Sequence, residues 1–290
     1  MGGLAELPQW AADDHDLAFA VFSASAACLP VGWPRPELPA RAFFEDRFRA
    51  VPLPGPALLT GYYEPVVEGA SQRDGRFAHA LYALPRGGIA ATRAEIEDGD
   101  LLCGHELAWL SDPLDAFMAQ VQGSCRVRLA GGGELRLGYA GRNGHPYRSV
   151  GAELIRRGEI GAGRMSAQAI RDWCRAHPGQ VAGLLRHNPS FVMFRPLDLA
   201  ADAGPPGALG VPLTPLRSIA ADPAHVPPGA PVWVETAVFS RLCLAQDTGS
   251  AIVGAARADL FCGTGDAALR LAGPMQLAAR LTVLMPKGAA

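Results

Sequence analysis

A chain of 290 residues, 49% of them hydrophobic, has material for one large domain or two ordinary ones. Its 26 basic and 28 acidic residues leave a formal charge of -2, which excludes a broadly basic nucleic-acid surface and supplies no strong steering toward any partner. The 34 glycines and 25 prolines favour many turns and short strands over a helical bundle.

The opening MGGLAELPQWAADDHDLAFAVF lacks the basic segment, apolar run and cleavage site of a secretion signal, and LAFAVFSASAACLPVGW is too short to span a bilayer. A soluble mature portion is the expectation. DDHDLAFAVFSASAACL and ARAFFEDRF have helical spacing, the second placing Phe43, Phe44 and Phe48 on or near one face. ALLTGYYEPVVEGA, residues 57–70, favours a strand that Pro65 and Gly69 end or bend. HALYALP is strand-like. DPLDAFMAQVQGS predicts a helix beginning at Asp112, with Pro113 in its first position and an apolar face of Leu114, Phe117, Met118 and Val121.

SCRVRLAGGGELRLGYAG predicts a hairpin turning at Gly131, Gly132 and Gly133, and MSAQAIRDWCRAHP a helix capped by Ser166 and stopped near Pro178. This middle portion reads as a separate mixed β/α lobe. Residues 196–233 are rich in proline and glycine and form a boundary passing into a strand-rich closing region. That region offers strands at PVWVETAV, RLCLAQ, AIVGAA and RLTVLMP and a short helix after Gly265, a pattern closer to a barrel than to a doubly wound sheet.

Six cysteines, Cys28, Cys103, Cys125, Cys174, Cys243 and Cys262, show no spacing suited to zinc and read as structural thiols. Gly263-x-Gly265-x-x-Ala268 imitates a dinucleotide fingerprint, but the preceding strand is short and no acidic residue follows on a next parallel strand. Asp247, Asp259 and Asp266 lack the ligand order of an EF-hand. No GxSxG elbow surrounds Ser250, and Cys262 has no assignable histidine partner.

Three like charges drawn together without an ion would raise the pKa of at least one member, especially near apolar Leu260 and Phe261, and make it a usable acid near neutrality. Asp247 and Asp266 also suit turn and helix caps, whereas Asp259 lies in a strand-like run that disfavours Asp. Tyr62 and Tyr63 suit a saccharide surface or a core equally well. Gln120, Gln122, Gly123 and Ser124 add hydroxyl partners at a helix end, and His145 in GRNGHPYRS is a loop histidine for binding or turn stabilisation.

LAQDTGSAIVGAARADLFCGTGDAALRLAG, preceded by GPPGALGVPLTPLRSI, resembles the C-terminal region of the MltA-type lytic murein transglycosylases. LLTGYYEPVVEG, DPLDAFMAQVQGSCRVRL, GYAGRNGHPYRSVG, MSAQAIRDW and HNPSFVMFR extend the likeness through the middle, from about Leu7 to Lys287. The resemblance implies a mainly β fold with a few helices. A discontinuous double-psi β-barrel catalytic domain would combine residues 1–67 and 197–290. Residues 68–196 would form an inserted smaller β-rich, glycan-binding lobe.

The resemblance also implies cleavage of the β-1,4 bond between N-acetylmuramic acid and N-acetylglucosamine in peptidoglycan without water, leaving a 1,6-anhydromuramoyl end. It puts catalysis on Asp259, support on Asp247 and Asp266, and substrate contacts on Thr60, Tyr62, Tyr63, Gln122, Ser124 and His145. No cofactor or metal is implied. The implied partners are glycan strands and other cell-wall enzymes, with no nucleic acid, for a monomer in the periplasm or at the outer membrane. The opening has no lipobox around Cys28. A hydrolytic glycosidase and a noncatalytic glycan-binding module stand as alternatives.

Three positions depart from the family's pattern. Ser250 and Val253 replace a glycine and a lysine of DTGGAIKG, and Cys262 stands where an aromatic residue is usual. Ser250 is tolerated unless its turn needs positive φ. Val253 removes a cation that would contact substrate or balance the carboxylates.

Overall fold

The structure is a computed structural model that describes residues 3–37 and 39–288. The chain divides into two compact units. One comprises Met1–Tyr62, Ala203–Gly263 and Met275–Ala290, the other Tyr63–Asp202 and Thr264–Pro274.

Helix α1 (His15–Ala24) starts where the Asp14 side chain accepts the Leu17 amide, satisfying an otherwise orphaned donor. Helix α2 (Ala40–Arg47) buries Phe43 and Phe44. Phe48 opens strand β1 (Phe48–Pro52) rather than extending that helix, yet its ring still packs 5.7 Å from Phe43 and 6.0 Å from Phe44. The expected long strand is split by Pro65 into β2 (Ala57–Glu64) and β3 (Val66–Ala70). In β3 a Cβ on Gly69 would stand 2.9 Å from the Trp109 carbonyl oxygen, so no larger residue fits there.

Strand β4 (His79–Tyr82) is where HALYALP predicts it. Helix α3 (Arg93–Asp98), with a Thr92/Glu95 capping box, and strand β5 (Glu106–Leu110) follow. Helix α4 (Pro113–Gln122) begins as expected, with Asp112 accepting the Leu114 amide, and ends at Gly123. Its buried face is Leu114, Ala116, Phe117, Ala119 and Gln120, whereas Val121 is exposed. Strands β6 (Ser124–Leu129) and β7 (Glu134–Arg142) form the expected hairpin, turning through Gly132 and Gly133 at positive φ.

Helices α5 (Val150–Arg156), α6 (Ala167–Ala176) and α7 (Val181–Leu185) follow, α6 capped by Ser166 on the Ala169 amide. The remaining elements are β8 (Val192–Pro196), β9 (Ser218–Ala221), β10 (Pro231–Thr236), β11 (Ser240–Asp247), β12 (Arg257–Thr264), α8 (Gly265–Ala272) and β13 (Gln276–Pro286). AIVGAA does not form the expected strand. Residues 251–256 turn through Gly254 at φ +90°, whose amide donates to Asp222 Oδ2 at 2.6 Å.

In the first unit the strand order β1-β13-β10-β11-β9-β12-β2, with β13 also pairing β2, closes six strands into a barrel among the described residues. Strand β9 runs parallel to β11 and antiparallel to β12. Alternation along the strands puts Leu59, Ile219, Val232, Val234, Cys243, Leu260 and Val283 into the interior core. Part of the outer face, including Trp233, Leu242, Leu244 and Leu284, is covered by α1, α2 and their aromatic residues. The second unit holds a sheet of order β4-β5-β3-β6-β7-β8. One core lies on that sheet around Leu81, Val127, Leu137 and Phe194; another joins α4, α5, α6 and α7 through Phe117, Leu154, Trp173 and Leu184.

Candidate active site

The outer face of the barrel unit carries a cluster on β2, β11 and β12. Ala258 and Leu260 point into the core, so alternation turns Arg257, Asp259 and Phe261 outward. Leu59 likewise points inward, and Thr60 and Tyr62 are found beside those outward residues. The Thr60 hydroxyl donates to Asp259 Oδ1, and Arg257 Nη2 donates to Thr60 Oγ1 at 3.2 Å. The Tyr62 ring lies 5.4 Å from that of Phe261 and its hydroxyl donates to Asp247 Oδ2 at 2.8 Å.

Asp247 reaches this face through an irregularity. Ala245 pairs with Ile219, but the next partner, Ala220, is met by Asp247, so Gln246 is the extra residue of a bulge. The insertion reverses the alternation that would send Asp247 inward with Cys243 and Ala245. Ala220 is also the partner of Asp259 on the other side of β9. The two aspartates therefore flank one small residue, their strands separated by about 10 Å.

Burial pushes the Asp259 carboxyl above the usual carboxylate range. The Thr60 hydrogen bond and the Arg257 charge pull it back only in part, and the Asp247 charge pushes it further up. Burial also raises Asp247, against three donors: the Tyr62 hydroxyl at 2.8 Å and the Ala208 and Thr248 amides, both at 2.9 Å to Oδ1. The Tyr62 phenol is driven far up by burial and by Asp247 beneath it, so it stays a donor. Cys262, a buried thiol, is pushed up to about 12 by burial and by Asp259.

The family model described as "MltA specific insert domain" matches residues 88–195, and the "3D domain" model matches 217–285. "Membrane-bound lytic murein transglycosylase A" of Escherichia coli (strain K12) is 38% identical over 233 residues, 76% of this chain and 63% of that protein. The chain thus spans a little under two thirds of the length of that curated relative. The solved lytic transglycosylase LtgG of Burkholderia pseudomallei is 40% identical, with TM-score 0.65 over 99% of this chain and 95% of that one. This chain belongs to the MltA family. A structure of the E. coli family member with bound chitohexaose is 37% identical, TM-score 0.74, covering 80% of this chain and 72% of that one.

Of the residues that the family resemblance singles out, Thr60, Tyr62, Asp247 and Asp259 come together in the barrel unit. Tyr63, Gln122, Ser124, His145 and Asp266 belong to the second unit. There Gln122 Oε1 accepts the Tyr63 amide at 3.0 Å, Ser124 is buried in β6, and His145 Nε2 lies 2.8 Å from the Ala90 carbonyl oxygen. Asp266 is exposed in the first turn of α8 and caps nothing: Thr264 is the N-cap residue, and it makes no side-chain capping bond.

Arg257 and Ala220 were not singled out by sequence. The signal for Arg257 was its place two residues before Asp259 in a strand; Ala220 has no local signal. Ser250 is not among the positive-φ residues, so its turn does not require glycine. Val253 is 68% exposed, in a turn open to solvent.

Proposed function

We propose that this chain is a lytic transglycosylase, a carbon–oxygen lyase that cleaves the β-1,4 bond between N-acetylmuramic acid and N-acetylglucosamine in peptidoglycan. The observation that carries the proposal is Asp259, a largely buried carboxyl with raised proton affinity and one hydroxyl donor. Asp247 has three donors satisfying its anion. Of the two, Asp259 is the one to keep the proton.

Protonated Asp259 donates to the glycosidic oxygen as the bond to muramic C1 breaks, releasing N-acetylglucosamine with its 4-hydroxyl. The resulting carboxylate takes the proton of the muramic C6 hydroxyl as that oxygen bonds to C1, closing the 1,6-anhydro ring and restoring the acid. Thr60 orients Asp259, while the negative charge of Asp247 sustains its proton affinity and faces the positive charge developing at C1. A hydrolytic glycosidase would instead need a second carboxylate able to activate water. Both oxygens of Asp247 are already engaged.

The barrel is read as a double-psi barrel and the catalytic domain, and the second unit as the glycan-binding lobe. Tyr63, Gln122, Ser124, His145 and Asp266 are assigned to substrate contact or support there. The site of action is the periplasm, at the murein and beside the outer membrane, with other cell-wall enzymes as partners. No described helix is long and apolar enough to cross a membrane.

The test compares wild type with Asp259→Asn on purified murein sacculi, with product ends identified by mass. Wild type is expected to release anhydromuropeptides; the variant should bind sacculi and lose about 10²–10⁴-fold in turnover. Reducing muramic ends with water uptake would establish a hydrolase, and sacculus binding without products in both proteins a binding module. Full activity of the variant would overturn the role of Asp259.

A further inference from the structure

The second unit contains a cavity of about 240 Å³ bounded by β3, α4, α6 and α8. Its apolar lining comes from Val66, Val67, Met118 and Leu269, and its polar lining includes Tyr63, Asp115 and Asp266. The two guanidiniums at its wall are already answered. Arg171 Nη1 is 2.8 Å from Asp115 Oδ1 and 3.7 Å from Asp112 Oδ2, and Arg175 Nη1 is 3.4 Å from Asp172 Oδ1.

Asp266 has neither an ion pair nor a hydrogen bond among the described residues. With Arg171 and Arg175 both paired, the Asp266 carboxylate is the lining charge left without an ion pair among the described residues. Alkyl lining together with a lone carboxylate matches an aliphatic chain ending in a cation, as a lysine side chain buries its methylenes and keeps its ammonium at a polar edge. Neutral sugar hydroxyls would donate to Asp266 without neutralising its charge, and an anionic group would be repelled by it.

We infer that this cavity takes the free side-chain ammonium of a diamino acid in the peptide stem of the glycan. The inference rests on the murein reading of the site and adds a preference to it. Cross-linking turns that amine into an amide and removes its charge, so the cavity favours stems that are not cross-linked through it.

The experiment uses glycan strands bearing one defined stem whose diamino acid is either free or acetylated at its side-chain nitrogen. The quantity read is the ratio of kcat/KM for the two substrates within each protein, which cancels changes in basal turnover. Wild type is expected to prefer the free amine by about fivefold at low salt, less as salt is added. Asp266→Asn removes the charge and Leu269→Lys supplies an internal ammonium; both should bring the ratio near one. A wild-type ratio of one, or a ratio kept in both variants, overturns the inference.

Binding is read separately from the Met118 methyl resonance with Nα-acetyl-lysine amide and its Nε-acetylated analogue. A shift with the first probe alone is expected. Turnover of murein without that shift removes the cavity's role and leaves the transglycosylase reading standing. The shift without any turnover of murein removes the transglycosylase reading instead.

Discussion

In the second unit the Glu64 carboxylate is fully buried between two guanidiniums: Arg126 Nε lies 2.7 Å from Oε2 and Arg136 Nη2 3.5 Å from Oε1, and the Thr264 hydroxyl donates to Oε2 at 2.9 Å, while Oε1 accepts no hydrogen bond among the described residues. In the barrel unit Asp259 is also withdrawn from water, but it has a single hydroxyl donor and an arginine that reaches that hydroxyl rather than the carboxylate. The first arrangement surrounds its carboxylate with positive charge; the second leaves a carboxyl whose proton affinity is raised. Burial alone therefore does not separate a structural carboxylate from a chemical one. The number and charge of its donors do.

Removing each group breaks or sharpens that contrast. The largest effect on stability is expected from Glu64→Ala, which takes the anion from between two guanidiniums and should lower the unfolding free energy by about 3–5 kcal/mol, read from urea melts with a constant m-value. A loss below about 1 kcal/mol would mean that the network is dispensable.

Asp259→Asn should shift stability the opposite way. A carboxyl whose folded pKa lies above its unfolded value stabilises the fold fully below the unfolded pKa, and that contribution is lost as pH rises through the folded pKa. The direction for Asp259 is upward. The asparagine variant should accordingly melt at a higher temperature than wild type at pH 7, with the difference shrinking toward pH 3.5. An Asp259→Asn variant less stable at pH 7 would show that the carboxylate is well compensated after all.

The pH profile of turnover gives a smaller, signed effect. A general acid is active below its pKa, so the alkaline limb reports Asp259. Thr60→Val removes a donor that favours the anion and should move the limb to higher pH; Asp247→Asn removes a like charge and should move it to lower pH. Limbs that move together, or not at all, would sever the limb from this cluster. The smallest effect is expected from Val253→Lys. At an exposed turn the added cation is screened, so thermal stability should change by no more than about 0.5 kcal/mol.

Much of the framework was legible because it depends on local chemistry. Pro65 divides a strand wherever the chain goes next, since it cannot donate to a ladder. Asp112 with Pro113, and Ser166, open helices for reasons confined to one turn. Glycines 132 and 133 supply the positive φ of a hairpin turn. Where signals were weaker the reading failed: AIVGAA has the composition of a strand but turns through Gly254, and α3, α5, β5 and β9 have too short or too mixed a pattern to stand out.

Sequence by itself determined the residue types, the family motifs and the strand around Asp259, whose outward direction follows from period-two alternation. It could not determine the company that Asp259 keeps. Thr60 lies 199 positions away and Tyr62 meets Asp247 across 185, contacts that exist only after the barrel closes. Alternation alone would have turned Asp247 into the core; the bulge at Gln246, a property of pairing with β9, turns it out beside Ala220. Proton affinity is decided at that level as well. It depends on burial, donors and neighbouring charge, all of which belong to the assembled site and none to the aspartate itself.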